Sequence, residues 1–519
     1  MAQTLATPGV YIEEKNAFPN SVAGIPTAIP AFIGYTEKAV RDGESLINQP
    51  VRISSLAEYH AIFGAGVRTT FNIQYADASN FDFQVDGTSY KLVQDSESRF
   101  IMYDSLRLFF ANGGSNCYIV SVGTYYQAGG SHYYNEEEGF EQPSGNKLNT
   151  ISKKALEGGI TALISEEEPT MVVIPEAIML EESDCYALQQ TMLAHCGYKM
   201  KNRFAILDVY KGTKSRTYDK NDVITRFREG VGSNFLAYGA AYYPFLNTSI
   251  VQNEEVNYKN ISNLDILEEI LVREAEVSTD DKKKSEEIKN EVRKINQPNA
   301  DVESVNQTLK VISPAFKTII AKVRNLLNVL PPSAAMAGIY TAVDNTRGVW
   351  KAPANTSIAS VVSPAVKLTH DDQEDLNLTV TGKSINAIRS FIGEGTIVWG
   401  ARTLDGNSQD WRYINVRRTL IFIEQSIKYA AKAYVYEPNT ANTWVLIKSM
   451  ISSFLNDLWK LGGLVGSTPE QAYQVEIGLG STMTPNDILD GIMKITVKVA
   501  ISRPAEFIVI TFQQKMQES

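Results

Sequence analysis

The sequence predicts a mixed α/β protein of several domains, in which an α/β domain is followed by a compact α+β unit, with extended strand arms at both ends. Three observations carry this. Short apolar runs of strand length alternate with helical patterns from Ala31 to about Asp208, the signature of a mostly parallel or mixed sheet. Two long apolar-striped helices and two strands crowd the last quarter. Met1 to about Pro30 has four prolines and too little apolar bulk for a core, so it reads as an extended arm.

The elements follow in order. Val10-Tyr-Ile12 is a strand-like piece inside the first arm. Ala31–Gly34, Cys117–Val122, Met171–Ile174 and Phe204–Asp208 are buried-strand candidates. Helices are expected around 105–110, before the turn Asn112-Gly-Gly114, and over Leu188–Ala194. Two stretches break the alternation. Residues 124–150 are rich in Tyr, Gly and Glu and read as an insertion. Residues 252–310 are highly charged, with Ile266, Ile270 and Leu271 on one helical stripe and Ile288, Val292 and Ile295 on another. They read as a solvent-exposed helical hairpin with one thin apolar face, facing outward; a membrane-surface helix is the competing reading, although such helices are usually basic.

Farther on, Asn415 to about Ala433 and Trp444–Leu461 are helical, and Gly462-Gly463 ends the second. Thr484 and Pro485 cap and open a third helix. Ile495–Ala500 and Phe507–Phe512 are strands, the latter a detached terminal arm. The predicted organisation is an arm over 1–30, one or more α/β domains over 31–365, a C-terminal domain over 366–502 and a strand arm over 503–519.

Composition excludes several functions. The 519 residues carry 49 Lys and Arg against 59 Asp and Glu, a net charge of −10, which disfavours nucleic acid as a partner. Residues 384–519 hold 13 basic and 12 acidic side chains, and the remainder 36 and 47, so the acidity lies in the first three-quarters. Cys117, Cys185 and Cys196 form no disulfide framework. The N-terminus lacks a signal-peptide pattern, and no apolar run approaches membrane-spanning length; synthesis in the cytoplasm and no direct membrane insertion are expected.

Catalytic signals are thin. There are four histidines, and only His195-Cys196 with Cys185 could suggest a metal; a zinc site needs more ligands at set spacings, so a buried inert group is expected and no metal. Gly393-Glu-Gly395 lacks the phosphate-loop pattern and reads as a tight turn. Asp371-Asp372 and Glu181-Glu182 read as solvated faces. No catalytic residue and no cofactor are expected.

Three separated segments resemble the tail sheath family of contractile phages and related injection systems. The first is Thr7-Pro-Gly-Val-Tyr-Ile-Glu-Glu14 with Ile25–Ala28 and Ala31–Gly34. The second runs from Leu330-Pro-Pro-Ser333 through Ala337–Tyr340 and Asp344 to Arg347-Gly-Val-Trp-Lys-Ala-Pro-Ala-Asn355. The third includes Ile385–Arg389, Val398-Trp-Gly-Ala-Arg-Thr-Leu404, Trp411-Arg-Tyr-Ile-Asn-Val-Arg-Arg418, Glu437-Pro-Asn439, Gly462–Leu464 and Arg503-Pro-Ala-Glu-Phe507. Val475–Gly478 departs from it, standing where many relatives have a Cys-containing strand.

The resemblance implies a structural subunit that stacks in rings around an inner tube protein, with baseplate and terminator or cap proteins as further partners. It also implies that terminal arms add strands to neighbouring copies. The arm residues would be Val10, Tyr11, Ile12, Phe507, Ile508, Val509 and Ile510. Lys448 and Lys460, opposite the apolar stripe of the Trp444–Leu461 helix, would face the tube. Trp399 is expected to be buried beside a turn with Arg402 pairing internally, and Arg417 and Arg418 are expected at the surface or at an interface. A baseplate or fibre component sharing the domain, or an unrecognised hydrolase, remain as alternatives.

Overall fold

The computed structural model describes residues 22–95, 99–127, 147–507 and 509. The arm residues Val10, Tyr11, Ile12, Ile508 and Ile510, and most of the 124–150 insertion, lie outside the described residues. The chain divides into two compact units, Pro26–Arg418 and the pairing of Met1–Ile25 with Thr419–Ser519.

The larger unit is built on a nine-stranded mixed sheet. From edge to edge its strands are Thr356–Ser357, Gly395–Trp399, Asn386–Phe391, Gly239–Tyr243, Phe204–Asp208, Met171–Val173, Pro30–Thr36, Cys117–Thr124 and Pro50–Ile53. The six strands from Asn386–Phe391 to Cys117–Thr124 are parallel to their neighbours, and the outer pairings are antiparallel. Burial of both faces explains the unbroken apolar runs that mark the central strands in the sequence. All seven residues of Pro30–Thr36 are buried. One face, with Ala31, Ile33, Val120, Val172, Ala205 and Ala241, is covered by helices that include Lys153–Ala162 and Glu182–Ala194. The other, with Phe32, Ile119, Val173, Ile206 and Tyr242, is covered by helices that include Met102–Ala111 and Ser333–Arg347. The four strands expected between Ala31 and Asp208 are all present.

A third core corrects the reading of 252–310. Helices Leu264–Val277, Lys282–Val292, Val302–Ile312 and Pro314–Leu327, with the short helical turn Arg293–Asn296, bury Leu267, Ile270, Leu271, Val292, Ile295, Leu309 and Phe316. They do so against a three-stranded antiparallel sheet in which Thr88–Gln94 lies between Phe71–Tyr75 and Phe83–Val85, and which supplies Phe71, Ile73, Phe83 and Tyr90. The two halves are joined through polar backbone contacts: Asn263 Oδ1 accepts from Ile73 N at 2.9 Å, and its amide donates to Ile73 O at 2.8 Å. The segment is therefore half of a lobe with its own core, and not a thin-faced hairpin. Both insertions leave and re-enter at close points: Asp95 N donates to Thr70 O at 3.0 Å, and Thr248 N donates to Asn328 O at 2.7 Å.

The smaller unit contains the C-terminal part of helix Ile414–Ala431, the helix Ala441–Lys460 and a two-stranded antiparallel sheet of Tyr473–Glu476 with Thr496–Val499. The helix stop is as predicted: Gly462 has φ +84°, a left-handed conformation costly for other residues, and Gly463 N donates to Leu458 O. Thr484 and Asp487 form a reciprocal capping box with Pro485 at the first position of helix Pro485–Leu489.

Candidate assembly surface

Chemistry would be expected first at the carboxyl ends of the parallel strands, where the winding direction reverses. That reversal flanks Pro30–Thr36, which lies between Met171–Val173 and Cys117–Thr124. The crevice there is packed with protein. A Cβ on Gly34 would lie 2.4 Å from Met102 Sδ and 2.8 Å from Glu176 Oε2. Glu176 is fully buried and accepts from Tyr35 N at 2.9 Å and Met102 N at 3.3 Å. It therefore caps the helix Met102–Ala111, whose own N-cap, Ile101, offers no side-chain bond. Burial pushes its carboxyl up to about 7, against the pull of these amides. One strand farther along, Asp208 accepts from Ser333 N at 2.8 Å at the start of Ser333–Arg347, and burial raises it to about 7 as well.

The Cys/His group lies inside the core. Cys185 and Cys196 are buried in the first core cluster, where burial raises both thiols. His195 Nε2 is 2.9 Å from Arg203 Nη1, and burial first, then the guanidinium, lowers it to about 4. Among the described residues, no group of three or more His, Cys, Asp or Glu side chains could hold a metal ion, and no helix is long and apolar enough to cross a membrane.

Several of the sequence expectations change here. Arg417 and Arg418 are buried, 5% and 4% exposed, and are neither surface nor interface charges. Arg418 grips Asp344 with both nitrogens, at 2.9 and 2.6 Å, and also donates to Thr27 O at 2.9 Å. Arg417 lies over the rings of Tyr238 and Trp411. Trp399 is 41% exposed, because its hairpin forms the flank of the sheet; Arg402 is buried and donates to Asn377 O at 3.2 Å. Asp372 is mostly buried, capping helix His370–Asn377 and accepting from Tyr218. Gly393-Glu-Gly395 closes the hairpin between Asn386–Phe391 and Gly395–Trp399.

What the molecule presents outward is edges and apolar side chains. The nine-stranded sheet blunts its own edges: one edge strand has two residues, and the other has four and begins with Pro50, both recognised ways of preventing strand addition. The two-stranded sheet of the smaller unit has no further strand on either side among the described residues. A two-stranded ribbon is marginal alone, and each outer edge offers unpaired backbone groups. In the same unit, Val435, Tyr436, Val445, Leu461 and Leu489 are 60%, 103%, 65%, 67% and 83% exposed. At the end of the described chain, Phe507 and Val509 are exposed and lie in no strand.

The two lysines lie on helix Ala441–Lys460, which buries Ile447, Met450, Ile451, Leu455 and Leu458. Both are exposed, and Lys460 Nζ is 3.9 Å from Asp457 Oδ1. At 3.6 residues per turn they are about 120° apart around the helix and ~18 Å apart along it. Lys448 therefore flanks the buried stripe, and Lys460 lies across from it.

Comparison with known proteins places these features. The phage tail sheath C-terminal domain matches residues 407–515. The tail sheath protein of Vibrio phage KVP40 is 27% identical over 190 residues, and that of Enterobacteria phage T4 is 22% identical over 161. Those stretches cover 36% and 31% of this chain but only 26% and 24% of the relatives' length. Solved structures match more completely. The sheath complex of the extracellular contractile injection system PVC, in its contracted state, is 27% identical with a TM-score of 0.57, covering 99% of both chains. A chain of the anti-feeding prophage baseplate in its contracted state is 25% identical with a TM-score of 0.61, over 98% of this chain and 99% of that one. The chain is thus similar in sequence to the phage tail sheath C-terminal domain over residues 407–515, and in fold to chains of contractile injection system sheath complexes over nearly its whole length.

Proposed function

We propose that this chain is the repeating subunit of a contractile sheath, a structural protein that polymerises around an inner tube and drives it forward by changing shape, without catalysis. One observation carries the reading: the near-complete match, at 25–27% identity, to chains of sheath and baseplate complexes. The open-edged ribbon supports it, since extended arms from neighbouring copies could add to it. Strand addition gives affinity through backbone bonds while letting the remainder of each subunit rotate. The arms are Val10–Ile12 and Phe507–Ile510, residues 366–502 form the inner wall, and the 69–95 and 251–327 lobe faces outward. The partners are further copies, an inner tube protein, and baseplate and terminator proteins of the same particle.

Electron microscopy of the purified full chain tests this. Hollow, ribbed cylinders of indefinite length are expected. Two of the matching structures are baseplate complexes, which favours a second reading as a baseplate component; single closed rings that never elongate would select it. A monomer under every assembly condition would end both.

A further inference from the structure

We propose that the hairpin Asn386–Trp399 is a second contact between subunits, separate from the terminal arms, and that its occupant is another copy of this chain. This rests on the sheath reading above.

The hairpin pairs Ala387 with Trp399 and Phe391 with Gly395, and its turn places Ile392 at 105% exposure. Behind the tip, the Phe391 and Trp399 rings pack at 4.8 Å, and the Arg389 guanidinium lies 5.5 Å from the Phe391 centroid. Gln373 holds the group in place: it accepts from Arg389 Nη1 at 2.7 Å and donates to Trp399 O at 2.9 Å. Val362, on the strand Val361–Pro364, is 73% exposed. An exposed tryptophan backed by a half-buried phenylalanine and arginine, fixed in place and beside a fully exposed isoleucine, has the composition of an interface hot spot and not of a solvated edge.

Two observations select another copy as the occupant. Like-charged surfaces repel across an interface, and copies of a −10 chain must meet through patches that lack its acidity. The hairpin carries Arg389 and Glu394 as its only charges. Second, solved chains that share the fold over nearly their whole length include one from a helical sheath, and a helical array repeats one subunit, so each copy meets other copies.

The test uses the full-length protein under conditions in which the wild type forms tubes. Ile392→Glu changes a side chain without intramolecular support, so its unfolding temperature should match wild type. Its concentration for half-maximal assembly should rise at least tenfold, the scale of a hot-spot loss. Trp399→Ala should do the same. A photo-cross-linking amino acid at position 392 should give a covalent dimer of this chain in tubes. Assembly of Ile392→Glu at the wild-type concentration overturns the proposal, as does a cross-link only to another protein or to none. Wild type that forms no tubes removes the sheath reading itself, and this contact with it.

Discussion

The two units solve the same problem of β-structure in opposite ways. The larger one surrounds a nine-stranded sheet with helices on both faces and ends it in strands of two and four residues. The smaller one has a two-stranded ribbon that carries no further strand among the described residues, and it keeps residues such as Tyr436 and Leu489 almost wholly in solvent. A closed sheet is stable as a monomer and offers a neighbour no edge for strand addition. An open one is incomplete until another chain adds to it. On this reading the division of the chain separates a sheet that is complete in itself from one that strand addition completes.

The arms give the sharpest test of that division. Deleting Met1–Asn16, or everything after Arg503, is expected to leave a soluble folded subunit that no longer forms tubes, measured by circular dichroism and electron microscopy. Full-length sheath from either truncation would mean that the open ribbon is completed by something else.

The lobe tests the converse, that closed parts are self-contained. Removing 252–310 alone uncovers Phe71, Ile73, Phe83 and Tyr90, and should give an aggregating protein. Removing 71–94 and 250–327 together, with short Gly/Ser bridges at the close pairs Thr70–Asp95 and Thr248–Asn328, should leave a folded subunit that still assembles. Within the intact lobe, Phe316→Ala should cost ~3–5 kcal/mol of the lobe's stability by leaving a cavity, read by urea denaturation. Loss of assembly by a folded double excision would place the lobe at an interface.

A comparable effect is expected from the ion pair in the larger unit. The Arg418 and Asp344 side chains are 3% and 1% exposed. Arg418→Ala strands a buried carboxylate and a carbonyl at Thr27, and should cost ~3–5 kcal/mol. The check is urea denaturation, with Arg418→Met, which keeps most of the packing, as the companion variant. A loss under 1 kcal/mol would show that the pair is easily replaced by water.

Much of the fold could be read from sequence, and the reason is local. Central strands are buried on both faces and so announce themselves as apolar runs; the Thr484 cap and the Gly462 stop use residues whose conformational reasons are their own. What escaped is set by partners distant in the chain. The three-stranded sheet of 71–94 mixes polar and apolar residues, and its core is supplied by helices some 190 positions later, as the Ile73–Asn263 contacts show. Arg418 resembles any helix-terminal cation until Asp344 is placed against it. Trp399 resembles a core residue until its hairpin is found at the sheet's flank. Of the expected assembly residues, Lys448, Lys460, Phe507 and Val509 are exposed, which makes them available without showing what they meet.

pH provides a smaller contrast between the units. Glu176 and Asp208 both have carboxyls raised to about 7 by burial, from 4.5 and 3.8. The folded state therefore holds protons that the unfolded chain has released. That contribution is complete below about pH 4, falls as pH rises, and is gone above about pH 7. The larger unit's unfolding temperature should decline over that range, and Glu176→Gln should flatten the slope. In the smaller unit, Asp487 is lowered to about 2, led by its bond to Lys494, so no loss of stability from that group is expected between pH 4 and 7. A flat profile for the larger unit would show that these carboxyls reach water.

The smallest effect is expected from the lysines of the open unit. Lys448 and Lys460 are exposed on one helix; Lys460 Nζ lies 3.9 Å from Asp457 Oδ1, and Lys448 makes no ion pair among the described residues. Each would gain only ~0–1 kcal/mol from an acidic group on a tube, as solvent-exposed pairs do. In a monomer that would be immeasurable. Repeated over many subunits, the same terms add along the particle, yet each is weak enough to release when neighbours release. Because the two side chains are about 120° apart around the helix, one flat surface would not meet both equally, and the single variants should differ. Lys448→Glu with Lys460→Glu is expected to lower the ratio of extended to contracted particles in micrographs and to leave contracted, tube-free sheath able to form. An unchanged ratio removes this helix as the tube contact. Loss of both particle forms would instead assign the lysines to packing between subunits, and the open unit would then owe its partners to apolar and backbone groups on every side.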